Sequence, residues 1–321
     1  MDRVMVVGGA GYIGSHTCKQ LALAGYEPIV FDSLITGNRR AVRWGPLVVG
    51  DISDRAALDG AIDKFRPASV IHFAAFSYVG ESVADPARYY RNNVAGTLTL
   101  LDAMRDAGIG RIVFSSSCAS YGAPCDMPIR EDMPQHPVNP YGWTKRMAEQ
   151  ILADCHAAYG IAYAALRYFN ACGADPEGDL GEWHDPETHL IPRILMAAAG
   201  SIPHVEIFGD DYPTPDGTCI RDYVHVSDLA DAHVRALKHL EEAPGAYTLN
   251  LGTGTGWSVS ELVHAAERIV GRNVRVVRRP RRPGDPAVLV ADVSAAREII
   301  GFVPRLSDQE TIIRTAWPFF S

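Results

Sequence analysis

The stretch VMVVGGAGYIGSH, residues 4–16, narrows the available folds more than any other part of the chain. An apolar run of strand character stops at Gly8, and Gly11 and Gly14 follow as a helical pattern begins. A strand-to-helix turn this tight needs positions without a Cβ, so that the backbone can approach both a ligand and the packed helix. A second apolar run, EPIVFD, closes on Asp32, at about the 20-residue separation of a ribose-binding acid. Strand, glycine turn, helix, strand and acid in that order specify the first unit of a doubly wound parallel sheet, with a pyrophosphate on the helix N-terminus. The carboxylate at position 32 also repels a 2′-phosphate, which selects NAD over NADP.

Further runs, PLVVGD, SVIHFA, RIVFSSS and YAALRYF, alternate with amphipathic stretches as far as residue 169. Strands that are apolar on both faces belong to a parallel sheet covered by helices. The expected class is therefore α/β, with a doubly wound parallel Rossmann sheet binding NAD over residues 1–169 and a smaller C-terminal substrate-binding domain over 170–321. The pattern changes after Asn170, where ACGADPEGDLGEWHDPETH shows neither period; a loop of that length in a compact protein usually serves function. Beyond it the pattern predicts a helix near 190–199, a strand near 204–208, a helix near 227–241 and the strand YTLNLG, with segments near 220–250 returning to the first sheet. Ser258 and Glu261 have capping-box spacing ahead of the next helix. GTGTG at 252–256 reads as a loop, because no strand ending in an acid follows it.

Composition excludes several classes of function. With 30 basic and 38 acidic residues the net charge is −8, which argues against nucleic acid or an anionic membrane as the main partner. No apolar run approaches the roughly 18 residues of a membrane span, and the chain passes from its first residues straight into a strand pattern, so a cytoplasmic location is expected. Six cysteines (18, 118, 125, 155, 172 and 219) form no CxxC pair and are expected as reduced, mostly buried thiols. HDPETH at 184–189 offers no further histidine nearby and no HExxH, so no metal is expected, and the segment reads as a substrate-side loop leading to Leu190.

The chemistry-bearing signal is NPYGWTKRMAEQ, residues 139–150, which sets Tyr141 and Lys145 one helical turn apart on one face. A phenol titrates near 10, and lowering it to about 7 takes about 4 kcal/mol of differential stabilisation. A desolvated lysine together with the positive ring of an oxidised nicotinamide can supply that. Upstream, SSSCASYG places Ser117 at the carboxyl end of a strand, where open α/β sheets bind their ligands.

With GGAGYIGSHTC, HFAAFSYVGESVADPARYYRNNVAGTLTLLDAM, IVFSSSCASYG, NPYGWTK, LRYFNACGADP and IRDYVHVSDLADAH, the chain resembles the extended short-chain dehydrogenase/reductase family over essentially its whole length. Within that family the likeness is to the branch that inverts UDP-sugars at C4. The resemblance implies a tightly bound NAD that is reduced and reoxidised in each turnover, and interconversion of UDP-galactose and UDP-glucose through a 4-ketose that rotates about its diphosphate. Tyr141 would take the proton of the sugar 4-hydroxyl, Ser117 would hydrogen-bond that oxygen, and Lys145 would complete the catalytic set. Cofactor contacts are implied for Gly8, Gly11, Tyr12, Ile13, Gly14, Asp32, Asp51, Ile52, Phe73, Ala74, Ala75, Asn92, Ser115, Tyr141, Lys145 and Phe169. Substrate contacts are implied for Ser117, Tyr141, Asn170, His189, Leu190, Arg221, Arg282, Asp285 and Leu289, the arginine pair suiting a diphosphate. The family also pairs the helices near 86–107 and 141–157 across a two-fold axis, so a homodimer built on a four-helix bundle is expected.

Three departures stand out against that pattern. Ser77 replaces a lysine that some members place near the cofactor, Cys118 follows Ser117 where alanine is usual, and Leu289 holds the position that gates N-acetylated sugars. Leucine there leaves the acceptance of such sugars open. Related 4-epimerases acting on UDP-xylose and UDP-arabinose, or on UDP-N-acetylglucosamine and UDP-N-acetylgalactosamine, share the same catalytic set. A 4,6-dehydratase needs an Asp and a Glu directly after the strand's Ser or Thr, and Cys118 and Ala119 stand there instead. An inactive NAD-binding regulator is opposed by the intact Ser117, Tyr141 and Lys145.

Overall fold

The computed structural model describes residues 1–124, 126–282 and 284–321, so Cys125 lies outside the described residues. β1 (Arg3–Val7), α1 (Tyr12–Leu23) and β2 (Glu27–Asp32) are followed by β3 (Leu47–Val49), α2 (Arg55–Phe65) and β4 (Ser69–His72). α3 (Val79–Ala84), α4 (Pro86–Tyr89), a π-helical turn (Tyr90–Ala95) and α5 (Gly96–Asp106) lead to β5 (Arg111–Ser117), α6 (Pro140–Tyr159) and β6 (Ala162–Tyr168). Next come β7 (Asn170–Cys172), α7 (Leu190–Ala199), β8 (Val205–Phe208), β9 (Ile220–Arg221), β10 (Tyr223–His225), α8 (Val226–Glu242) and β11 (Ala246–Leu251). The last elements are β12 (Trp257–Ser258), α9 (Val259–Val270), β13 (Val276–Arg279), β14 (Val288–Leu289), α10 (Ser294–Ile300) and α11 (Gln309–Ala316).

Seven strands pair in parallel in the order β11-β6-β5-β4-β1-β2-β3. Strand order reverses between β1 and β4, which opens a crevice at their carboxyl ends. The inward positions explain the uninterrupted apolar runs: Val4 and Val6 face a core shared with α1 and α8, while Met5 and Val7 face one shared with α2, α5 and α6. A third apolar cluster, with Ile191, Leu195, Leu262 and Ile312, joins α7, α9 and α11 beyond the sheet. Of the stretch near 220–250, α8 covers the first sheet and β11 extends it beside β6, whereas β9 and β10 pair in small sheets of their own. α9 begins with the capping box of Ser258 and Glu261 that the spacing predicts.

Five thiols, Cys18, Cys118, Cys155, Cys172 and Cys219, are free, and all but Cys118 are buried. Among the described residues no helix is long and apolar enough to cross a membrane.

One buried polar group ties α6 to the sheet. Glu149 accepts from Arg167 Nε at 2.9 Å and Nη2 at 2.6 Å, from Gln135 at 3.0 Å, and from the Ser116 hydroxyl. Arg167 also donates to the Tyr121 hydroxyl at 2.8 Å, which donates in turn to Asn250 on β11 at 2.8 Å. Both charges are nearly dehydrated, with side chains 7% and 9% exposed. Removing one partner therefore strands the other. Arg167→Met is expected to lower stability by about 3–5 kcal/mol in urea unfolding, and the double variant Glu149→Leu/Arg167→Met to recover most of that loss.

Candidate active site

The glycine turn is built by close approach. Gly8 has φ +84°, and a Cβ there would lie 2.5 Å from Ala74 N, so the segment Phe73–Ala75 after β4 packs directly on it. That segment is held by Phe73 N and Ala74 N, which donate to Val7 O at 2.7 and 3.0 Å. A Cβ on Gly14 would run into the Gly8 carbonyl, so α1 packs against the turn at glycine distance. Gly11 caps α1 without a side-chain hydrogen bond, which leaves the first N–H groups of the helix directed outward for an anion. Tyr12 and Ile13 open α1, and the Tyr12 hydroxyl donates to Gly173 O at 2.5 Å.

Asp32, 7% exposed, accepts from Ala10 N at 2.9 Å and Leu34 N at 2.8 Å; burial raises its pKa against these two N–H groups. Asp51 turns the chain by accepting from Ser53, Ile52 is buried beneath Gly96, and Ser77 is exposed. Asn92 lies in the π-helical turn and donates to Asn93 Oδ1 at 2.9 Å, while Asn93 grips both backbone groups of Phe76. A cradle that any Cβ would fill, an uncapped helix start and a strand-end acid together fit a dinucleotide.

At the other side of the switch point, Asn139 caps α6 by accepting from Gly142 N at 2.9 Å, and Pro140 takes the first helical position. A Cβ on Gly142 would collide with Ala119 O, so the helix start rests on the turn that follows β5. That contact brings Tyr141 beside Ser117. The Ser117 side chain lowers the pKa of the Tyr141 phenol, but burial acts more strongly and holds it up at about 12. Lys145 is 3% exposed and donates to Ser115 O at 2.7 Å, with its ammonium 5.9 Å from the Tyr141 ring. Burial pushes its pKa down to about 7, opposed by Glu149 one turn further on.

The expectation that Lys145 makes Tyr141 a base at neutral pH is thus only part of the account. With the ammonium 5.9 Å from the ring centre, a phenolate would gain on the order of 3 kcal/mol at an effective dielectric of about 20, or about two pKa units. The N-terminus of α6 adds at most about 2 kcal/mol. Desolvation of the phenol exceeds what the Ser117 hydrogen bond returns, so the phenol stays above neutrality.

On the substrate side, strand pairing sets Leu289 opposite Arg221, and Arg221 forms an ion pair with Asp285 at 2.5 Å. Arg282 lies with its guanidinium 3.9 Å from the Phe208 ring centre, and its carbonyl accepts from Asp285 N at 3.2 Å. Asn170 donates through its side chain to Asp222 O at 2.8 Å, and Leu190 begins α7. Cys118, Phe169 and Leu289 share one apolar cluster, and burial pushes the Cys118 thiol up to about 12, which leaves it without nucleophilic character. His189 is turned toward Glu182 and Glu187.

Two features escape the sequence reading. Tyr168, at the end of β6, shares a short hydrogen bond with the Ser115 hydroxyl, and only the pairing of Ser117 with Tyr168 across β5 and β6 reveals the neighbourhood. Glu182 joins His184, Glu187 and His189 in one cluster within a segment that has no period to betray it.

Residues 4–252 match the model of the NAD dependent epimerase/dehydratase family. A UDP-glucose 4-epimerase of Rhizobium leguminosarum bv. trifolii is 54% identical over 98% of this chain and 96% of its own. The crystal structure of UDP-glucose 4-epimerase from Brucella ovis in complex with NAD superposes with TM-score 0.98 at 59% identity, covering 100% of this chain and 98% of that one. A Stenotrophomonas maltophila UDP-glucose-4-epimerase with bound NAD and formylated UDP-arabinopyranose gives 0.97 at 42% identity, over 100% and 98% of the two chains.

The tight seat of α6 is testable on its own. Gly142→Ala should displace the first turn and lower kcat by about 10- to 100-fold, as small misplacements of reacting groups do, with little change in far-ultraviolet circular dichroism.

Proposed function

The chain belongs to the NAD dependent epimerase/dehydratase family, and we propose that it interconverts UDP-galactose and UDP-glucose by inversion at C4. The observation that carries the reading is the seating of Tyr141 beside Ser117 at the carboxyl end of β5, across the sheet's switch point from the glycine turn. NAD, when bound, accepts the C4 hydride and returns it to the other face, and its oxidised ring brings the positive charge that the Tyr141 anion still needs.

Gly8, Gly11 and Gly14 give the pyrophosphate its approach to α1, and Asp32 takes the ribose hydroxyls. Tyr141 removes the proton of the sugar 4-hydroxyl and later restores it, while Ser117 holds that oxygen by a hydrogen bond. Lys145 donates to the Ser115 carbonyl and presents its charge to Tyr141 from beneath. Arg221 and Arg282 bind the diphosphate, so that the sugar can turn while its nucleotide end stays fixed. Asp285 pairs with Arg221 and holds its guanidinium in place beside the diphosphate site. Leu289 supplies an apolar wall near the sugar.

The protein acts as a cytoplasmic homodimer. Leu98 on α5 and Trp143 and Met147 on α6 are exposed large apolar side chains, which supports pairing of these helices with a second copy. Light scattering at micromolar concentration should give the mass of two chains; the mass of one would contradict the pairing.

Purified protein with no NAD added is expected to convert UDP-galactose to UDP-glucose, as resolved by chromatography. UDP-arabinose run in parallel reports the sugar preference. Tyr141→Phe should lower turnover by at least about 100-fold, and near-normal turnover would remove Tyr141 from the mechanism.

A further inference from the structure

Four side chains on the loop between β7 and α7 converge, among them His189, for which the resemblance implies a substrate contact and whose Nδ1 here faces Glu182 and Glu187. The Glu182 and Glu187 side chains are 4% and 6% exposed. His184 Nδ1 lies 3.1 Å from Glu182 Oε1 and 3.5 Å from Glu187 Oε2, and His189 Nδ1 lies 3.0 Å from Glu182 Oε1 and 2.8 Å from Glu187 Oε1. Nitrogen and oxygen ligands at about 2.0–2.1 Å from a zinc ion stand about 3.4 Å apart in a tetrahedron, and about 3.0 Å apart if coordination expands to six. The observed separations bracket both values.

A second observation points the same way. Glu182 Oε1, Glu187 Oε2 and His184 Nδ1 are buried and make no hydrogen bond of acceptable direction, despite their closeness. His189 Nδ1 and Glu187 Oε1 are hydrogen-bonded at 2.8 Å, so the three unpartnered atoms are the ones a bound cation would satisfy.

We propose that Glu182, His184, Glu187 and His189 bind one divalent transition-metal ion of the zinc class. Imidazole donors disfavour calcium and magnesium, and two carboxylates with two neutral imidazoles leave the loaded site uncharged, as a buried site requires. Four protein ligands make it a closed, structural centre, with no position kept for substrate. A cleft lined by Trp183, Asp185, Phe319 and Phe320 gives the ion access. The ion would pin the loop that leads into Leu190 and that meets Tyr12 and Tyr78 through the edge of His184.

The test uses the whole protein, stripped with a chelator and titrated with Zn2+, beside His184→Asn. One zinc retained per chain, with affinity at least about 100-fold weaker in the variant, is the expected result; equal affinity in both, or no retained zinc, overturns the site. Should the variant fail to fold, Co2+ added to the stripped wild type decides. An intense visible absorption band of four-coordinate cobalt supports the proposal, and an unchanged spectrum contradicts it.

Discussion

Gly142 has no side chain to keep α6 off the turn after β5, and the rest of the site depends on that contact. A helix seated this closely delivers Tyr141, its second residue, beside Ser117, the last residue of the neighbouring strand. The same helix face then presents Lys145 to the Ser115 carbonyl and Glu149 to Arg167. Three successive turns thus fix one phenol, one charge and one anchor. The anchor is buried and resists any slide of the helix along the sheet, because its two charges would lose each other as partners.

Burial that excludes water from this region works against the chemistry it serves. It disfavours the tyrosine anion and the lysine cation alike, pushing one pKa up to about 12 and the other down to about 7. Glu149 supports the lysine cation and the Ser117 hydrogen bond the tyrosine anion, each against burial. A phenol held in this way stays protonated at neutral pH unless a further positive charge is brought beside it.

Much of the fold can be read from the residues because its elements carry strong periods. The glycine turn, Asp32, the buried strands and the capping box at Ser258 each follow from local pattern, and the structure places each in the expected element. Other features lack a local signature. Arg167 and Glu149 look like an ordinary strand cation and helix anion until β6 and α6 bring them together. The pattern returns a segment near 220–250 to the first sheet, but that it pairs beside β6 is set by a contact no local stretch carries. Tyr168 and Glu182 were passed over for similar reasons: one reads as the end of a strand, the other as part of an aperiodic acidic loop.

The central claim is that the Lys145 ammonium, 5.9 Å from the centre of the Tyr141 ring, stabilises the Tyr141 anion. The most direct measurement is the pH dependence of kcat/KM for the holoenzyme and for Lys145→Met. The account predicts that the acid limb, where activity rises as Tyr141 loses its proton, moves upward by about two pH units in the variant. An acid limb at the same pH in both proteins would contradict it.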